Sequence, residues 1–247
     1  MDNSLCLYDN VKKIARIKMF NLDNYIQNLI SECKTAFGTR LLYMGLQGSY
    51  LRGEAHENSD IDIMVIIDDF TVADMQTYRE ILQRIGWFEK SCGFICGKTE
   101  MLNWNPMEVC QLKFTTKDIL GTLIDYLPPA TRQDEINYVK ISLGNLYHEL
   151  CHRFIHADKE KNIANFRGTC KGFFFLIQNL YYLESGNFIL SKKELKEKVA
   201  AADRRILEFS DLPDDYNFDE TFSELFAWCQ NAFVRLSLTT SVQPPAE

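Results

Sequence analysis

The chain has 247 residues, 46% of them hydrophobic and 25% charged, with a formal net charge of −7 at pH 7. That is the balance of an ordinary globular protein, long enough for one large domain or two modest ones, and it excludes a disordered polyelectrolyte. An acidic chain without a basic stripe is not built to track a long nucleic acid. The longest apolar stretch opens at Gly172 and is broken by Gln178 and Asn179, too soon to cross a bilayer. The start, Met1 to Cys6, lacks a basic segment followed by an apolar run, so the expected location is the cytoplasm. The eight cysteines are scattered without a framework, which fits free thiols. Cys92 and Cys96 have a spacing that metal sites use, but no second pair follows.

In chain order, Asn21 is an N-cap for a helix running to about Phe37, with Leu22, Tyr25, Ile26, Leu29 and Cys33 on one face. Leu41 to Gln47 read as a buried strand that ends in a tight turn at Gly48-Ser49. Arg52 to Ser59 form a polar loop, and Asp60 to Ile67 have the β-branched density of a central strand. Thr71 with Asp74 forms a capping box for a helix whose apolar face is Met75, Tyr78, Leu82 and Ile85, stopped by Gly86. Two further strands are expected at Thr99 to Trp104 and Glu108 to Thr115, separated by Asn105-Pro106.

After Pro128-Pro129 the pattern becomes helical. Ile136, Val139, Leu143, Leu146, Leu150 and Phe154 mark one long amphipathic helix, and Phe173 to Leu183 a second that is apolar nearly all round. Leu195, Val199, Ala202 and Ile206 mark a third; Phe222, Leu225, Cys229, Phe233 and Leu236 a fourth. Helices of this length with short links form an antiparallel bundle. The expected organisation is α+β: residues 1–127 as a mixed sheet flanked by helices, and residues 128–247 as a helical bundle with a frayed tail from Gln243.

Strand side chains alternate, so Asp60, Asp62 and Met64 share one face while Ile61, Ile63 and Val65 share the other. The two carboxylates then lie roughly 6.6 Å apart along the strand, close enough to share metal ions. Oxygen-only ligation selects magnesium or manganese over zinc. Acidic residues leading into an apolar strand, with no basic partner nearby in sequence, are costly unless a cation is present. Gly48 lets backbone amides come close to phosphate oxygens, and Ser49 adds a hydroxyl. The bland alternatives are a turn at Gly48-Ser49 and a solvated strand end at Asp60.

The run from Gly48-Ser49 to Asp60-Ile61-Asp62 resembles the signature of the polymerase-β-like nucleotidyltransferase superfamily, most closely its bacterial small-molecule branch with the aminoglycoside adenylyltransferases. The resemblance is strong over residues 41–67 and looser over the whole chain. It implies that residues 1–127 are the catalytic domain and 128–247 the acceptor-binding domain. It implies that Gly48 and Ser49 hold the phosphates of ATP or another nucleoside triphosphate, that Asp60 and Asp62 bind Mg2+ or Mn2+, and that a nucleoside monophosphate passes to a hydroxyl of a small acceptor. It calls for a third carboxylate on a neighbouring strand, for which Glu108 is the first choice and Glu100 the second. Arg52 and Ser59 flank this site and, with Lys171 or Lys140 of the bundle, are candidates for phosphate contact. The acceptor and the oligomeric state are not encoded in any readable motif.

Two rival readings remain. The chain could hold nucleotide as a regulatory or antitoxin-like module without turnover. His148-Glu149-Leu150-Cys151-His152 also matches the zinc hydrolase pattern, with His156 continuing the face. However, Ile155 stands where the extended protease motif needs glycine.

Overall fold

A computed structural model describes residues 20–239; the Met1–Cys6 start and the tail from Gln243 lie outside them. Helix α1 (Leu22–Phe37) is capped by the Asn21 side chain, which accepts from Asn24 N. It leads into strand β1 (Leu41–Leu46), the short helix α2 (Gly48–Arg52) and strand β2 (Ile61–Ile67). Helix α3 (Val72–Ile85) begins with the expected Thr71–Asp74 capping box and ends at Gly86. Of its expected apolar face, Tyr78, Leu82 and Ile85 pack on the sheet core beside the buried Ile81, whereas Met75 is 46% exposed.

Strands β3 (Ser91–Cys92), β4 (Ile95–Gly97) and β5 (Lys117–Leu120) complete a mixed sheet. β1 runs antiparallel to both β2 and β5, and β2 runs parallel to β3 and β4. Ile61, Ile63, Val65 and Ile67 of β2 face the layer formed by α1 and α3. Met64 and Ile66 face the opposite side with Tyr43, Met101 and Val109. This is the alternation read from the sequence, and it puts Asp62 on the face away from α1 and α3.

Both expected strands between residues 99 and 115 are helical instead. The chain forms α4 (Lys98–Leu102), α5 (Pro106–Val109) and α6 (Leu112–Thr115). Asn105-Pro106, which looked like a separator, is a helix start: the Asn105 side chain accepts from Met107 N and proline occupies the first turn. The strands that were not foreseen, β3, β4 and β5, are two to four residues long. At that length no alternation can be read.

Helix α7 (Arg132–His156) is followed by α8 (Lys159–Ser185), and the pair is antiparallel. Arg132 reaches the Leu183 carbonyl at one end, and Asn162 donates to the Arg153 carbonyl at the other. The expected third helix is divided into α9 (Lys192–Lys198) and α10 (Ala201–Glu208). The apolar spacing runs on through the break because Val199, although extended, is buried with Leu195 in the helical core. Helix α11 (Phe218–Thr239) closes that core, with Phe173 stacked edge-on to Trp228. Among the described residues, no helix is long and apolar enough to cross a membrane.

The sheet and the helices have separate cores, joined by a few specific contacts. Phe114 of α6 stacks on Phe188 at 4.6 Å, and Lys113 pairs with the buried Glu135 of α7 at 2.8 Å. Glu54 accepts from the backbone N–H of Lys192 at 2.6 Å.

Candidate active site

A cleft of about 680 Å³ opens between the sheet and the helices. One wall carries Gln47, Gly48, Ser49, Arg52, Ser59, Asp60 and Asp62, with Glu108 and Gln111 beside them; the facing wall carries Tyr138, Lys171, Phe175, Gln178 and Asn179. The structure thus brings together every residue the sequence nominated for the site except Glu100 and Lys140.

The Gly-Ser segment is held against the carboxylate strand by a backbone bond from Gln47 N to Asp62 O at 2.9 Å. Gly48 has φ +68°, in the left-handed region. A Cβ there would lie 1.8 Å from Asp62 Oδ2, so the absence of a side chain at Gly48 makes room for the carboxylate. Ser59 is buried, and its hydroxyl accepts from His56 N at 2.9 Å. It therefore fixes the loop that delivers Asp60.

Asp60 and Asp62 form no salt bridge among the described residues, and the nearby Arg52 is paired with Glu54 at 3.0 Å. Burial, first of all, raises the Asp62 pKa. A hydrogen bond from Cys92 opposes this, Asp60 adds to it, and Arg52 acts against it. An uncompensated carboxylate pair at a cleft wall fits a divalent cation. Magnesium, which takes one or two protein carboxylates and completes its shell with water and substrate phosphates, suits this donor set. No group of three or more potential ligands occurs among the described residues.

The third carboxylate requires correction. Neither Glu100 nor Glu108 is on a strand. Glu100 lies against Gly97, at the end of β4 far from Asp62, while Glu108 lines the cleft and accepts from Trp104 Nε1 at 2.8 Å. The residue in register with Asp62 on the neighbouring strand β3 is Cys92. Burial raises its thiol pKa, the Gly93 N–H opposes this, and the charge of Asp62 adds to it.

The net negative charge of the chain hides a basic rim. An adjoining depression of about 570 Å³ shares Ser49, Arg52, His56 and Lys171 with the cleft and adds Lys192, Lys193 and Lys196. Lys192 and Lys196 are both tied to Asp211. These lysines lie in a segment that, as sequence, reads only as a charged helix face.

The His148, His152 and His156 stripe does lie on one helix, and the rings of the last two are 4.7 Å apart. All three are exposed and none lines the cleft. Glu149, the presumed base of that motif, is paired with Arg153. Each of the seven described cysteines is free.

Residues 26–131 match the family described as nucleotidyltransferase domain. A solved spectinomycin adenyltransferase, AAD(9) from Enterococcus faecialis, with ATP and spectinomycin, superposes with a TM-score of 0.55. It is 15% identical and covers 88% of this chain and 100% of its own, a likeness of fold. A Methanocaldococcus jannaschii protein, whose name describes it as a candidate protein adenylyltransferase, is 44% identical over 45 residues. That match covers 18% of this chain and spans 31% of the length of that protein. A toxin–antitoxin structure with AMP-PNP is 25% identical over 52% of this chain and 92% of its own, with a TM-score of 0.29, too low to bear on the fold.

Proposed function

We propose that the cleft transfers a nucleoside monophosphate, AMP from ATP, to a hydroxyl of a small acceptor, with release of pyrophosphate, a reading supported by the match of residues 26–131 to the nucleotidyltransferase-domain family. The single observation that carries this reading is the nesting of the Asp62 carboxylate in the space left by Gly48, on a cleft wall facing a basic rim. One side of the cleft thus calls for a cation and the other for an anion. A metal-bound triphosphate satisfies both.

In this reading Ser49 and the backbone of the Gly48 turn hold phosphate oxygens, with Lys171 reaching them from the helical side. Arg52 stays tied to Glu54 and lies over Phe174 and Phe175 at 5.7 and 5.8 Å, so it shapes the boundary between cleft and rim. Asp60 and Asp62 hold the divalent ion, which when bound neutralises the triphosphate and favours in-line displacement at the α-phosphorus. Glu108, the cleft carboxylate nearest the helical wall in sequence and space, takes the proton of the acceptor hydroxyl. The acceptor sits between the sheet and the helices, which we assign to a catalytic domain up to about residue 127 and an acceptor-binding domain beyond it.

The test is pyrophosphate release from ATP and magnesium against an acceptor library. Asp60→Asn and Asp62→Asn should abolish it while leaving the far-ultraviolet circular dichroism unchanged; undiminished turnover in either would sink the assignment. A second reading, a nucleotide-holding regulatory module, is favoured by Cys92 standing opposite Asp62 where a third carboxylate would be. It predicts magnesium-dependent ATP binding without pyrophosphate release on any acceptor.

A further inference from the structure

Lys171, Phe175 and Asn179 follow one another at four-residue spacing on α8, so they share one face. All three line the cleft, and the helical rise sets their ends roughly 12 Å apart. Lys171 belongs to the basic rim beside Ser49. Phe175 is 45% exposed, a large aromatic surface left open in the wall of a polar cleft. Asn179 is only 2% exposed, and its Oδ1 is a buried oxygen with no donor.

The orientation of the Asn179 amide is fixed. Its Nδ2 donates to the Phe175 carbonyl at 2.7 Å, and the reverse orientation would set two oxygens against each other. A side recess of about 200 Å³ opens at Phe175 and Asn179, walled by Val139 and Leu176. Its other polar groups, the hydroxyls of Tyr138 and Ser142, are bonded to each other. What the recess lacks is therefore a flat apolar body with a hydrogen-bond donor on its edge. Buried acceptors are almost always satisfied in the working state of a protein, so this one points to a ligand.

We propose that the recess beside Phe175 is the adenine subsite of the cleft, with the Asn179 Oδ1 accepting from the exocyclic amine and the Phe175 ring lying against the base. This rests on the nucleotidyl-transfer reading above and adds to it a reason for ATP rather than another triphosphate. The stripe then reads as a ruler for the nucleotide: Lys171 at the phosphates, Phe175 at the ring, Asn179 at the base edge. Inosine triphosphate carries a carbonyl where adenine carries its amine, so it would place an acceptor against an acceptor. Asn179 is a specificity-determining residue in this scheme and takes no part in the chemical step.

The experiment is calorimetric binding of ATP and of inosine triphosphate, each with magnesium, to the full chain and to Asn179→Leu and Asn179→Asp. The wild type should bind ATP about tenfold more tightly, a single good hydrogen bond's worth. Asn179→Leu should lose that preference by weakening ATP alone, while Asn179→Asp should retain it under acidic conditions, where its protonated carboxyl can donate to the Phe175 carbonyl and still offer an acceptor oxygen; Asn179→Ala replaces the leucine variant if that fails to fold. Equal binding of the two nucleotides by the wild type, or an unchanged ratio in Asn179→Leu, overturns this inference and leaves the proposed function standing. Failure of both nucleotides to bind the wild type overturns the proposed function and this inference with it.

Discussion

Gly48 and Asp62 compete for one volume: a Cβ built on Gly48 falls 1.8 Å from Asp62 Oδ2 and 2.7 Å from its Cγ. The register of β2 with β1 and β3 fixes the backbone of Asp62, so an added Cβ is accommodated by swinging its carboxylate out of the gap. Gly48→Ala therefore meets two penalties, the clash and a left-handed backbone worth roughly 1–2 kcal/mol for a non-glycine residue. Displacing a metal-holding carboxylate by about an ångström lowers turnover by about 100-fold. We expect Gly48→Ala to fold with a lowered melting temperature and to lose about that much pyrophosphate release. Equal activity would show that Asp62 is not positioned by the gap.

Asp62 also carries a stability signature. Its pKa is raised, by burial first and then by Asp60, so the folded state binds this proton more tightly than the unfolded chain does. The sign follows: the group favours folding while protonated, and that contribution is lost as pH rises through the folded pKa. At neutral pH without metal, the charged Asp62 is thus a net cost. Asp62→Asn should raise the melting temperature of the metal-free protein at neutral pH. Magnesium with ATP should then stabilise the wild type and leave the variant unmoved. Scanning calorimetry with and without chelator reads both, and a destabilised metal-free variant would contradict the argument.

The two candidate third carboxylates can be separated. Glu108 lines the cleft and Glu100 sits at the far end of β4. Glu108→Gln keeps the hydrogen bond from Trp104 Nε1, because an amide oxygen can replace the carboxylate there. If Glu108 accepts the acceptor's proton, this variant should lose about 10²–10⁴ in kcat with ATP affinity unchanged, while Glu100→Gln should change neither. A silent Glu108→Gln would move the weight to the nucleotide-holding reading.

How far the fold was readable depended on segment length. α1, β1, β2, α3, α7 and α8 are long enough to show their period, and the caps at Asn21 and Thr71 are local. Residues 91–120 are built from pieces of two to five residues, placed by what they cover: Met101 and Val109 bury under Tyr43 and Met64 whatever their local period. The same distinction holds in the cleft. Gly48-Ser49 and Asp60-Asp62 are a short-range pattern, so their meeting could be anticipated. Cys92 is set by the parallel register of β3 on β2, and Asn179 by the antiparallel packing of α8, neither of which leaves a mark in local sequence.

Asp74 offers a test of the fold away from the site. Its carboxylate is bound by Arg40 at 2.6 and 3.0 Å and by Thr71 through both hydroxyl and backbone N–H. The Arg40 bond, chiefly, lowers its pKa from 3.8 to about 2. A depressed carboxylate pKa contributes stability that is present above the unfolded value and lost as pH falls through the folded one. Asp74 is nearly buried but Arg40 is partly exposed, so solvent screening leaves about 1–2 kcal/mol. Asp74→Asn should be less stable than the wild type by that amount in urea unfolding at neutral pH. The gap should hold down to about 3.8 and close as pH approaches about 2. A difference that persisted unchanged at the acid end would assign the loss to the helix cap alone, since the bonds between Thr71 and residue 74 do not all depend on charge.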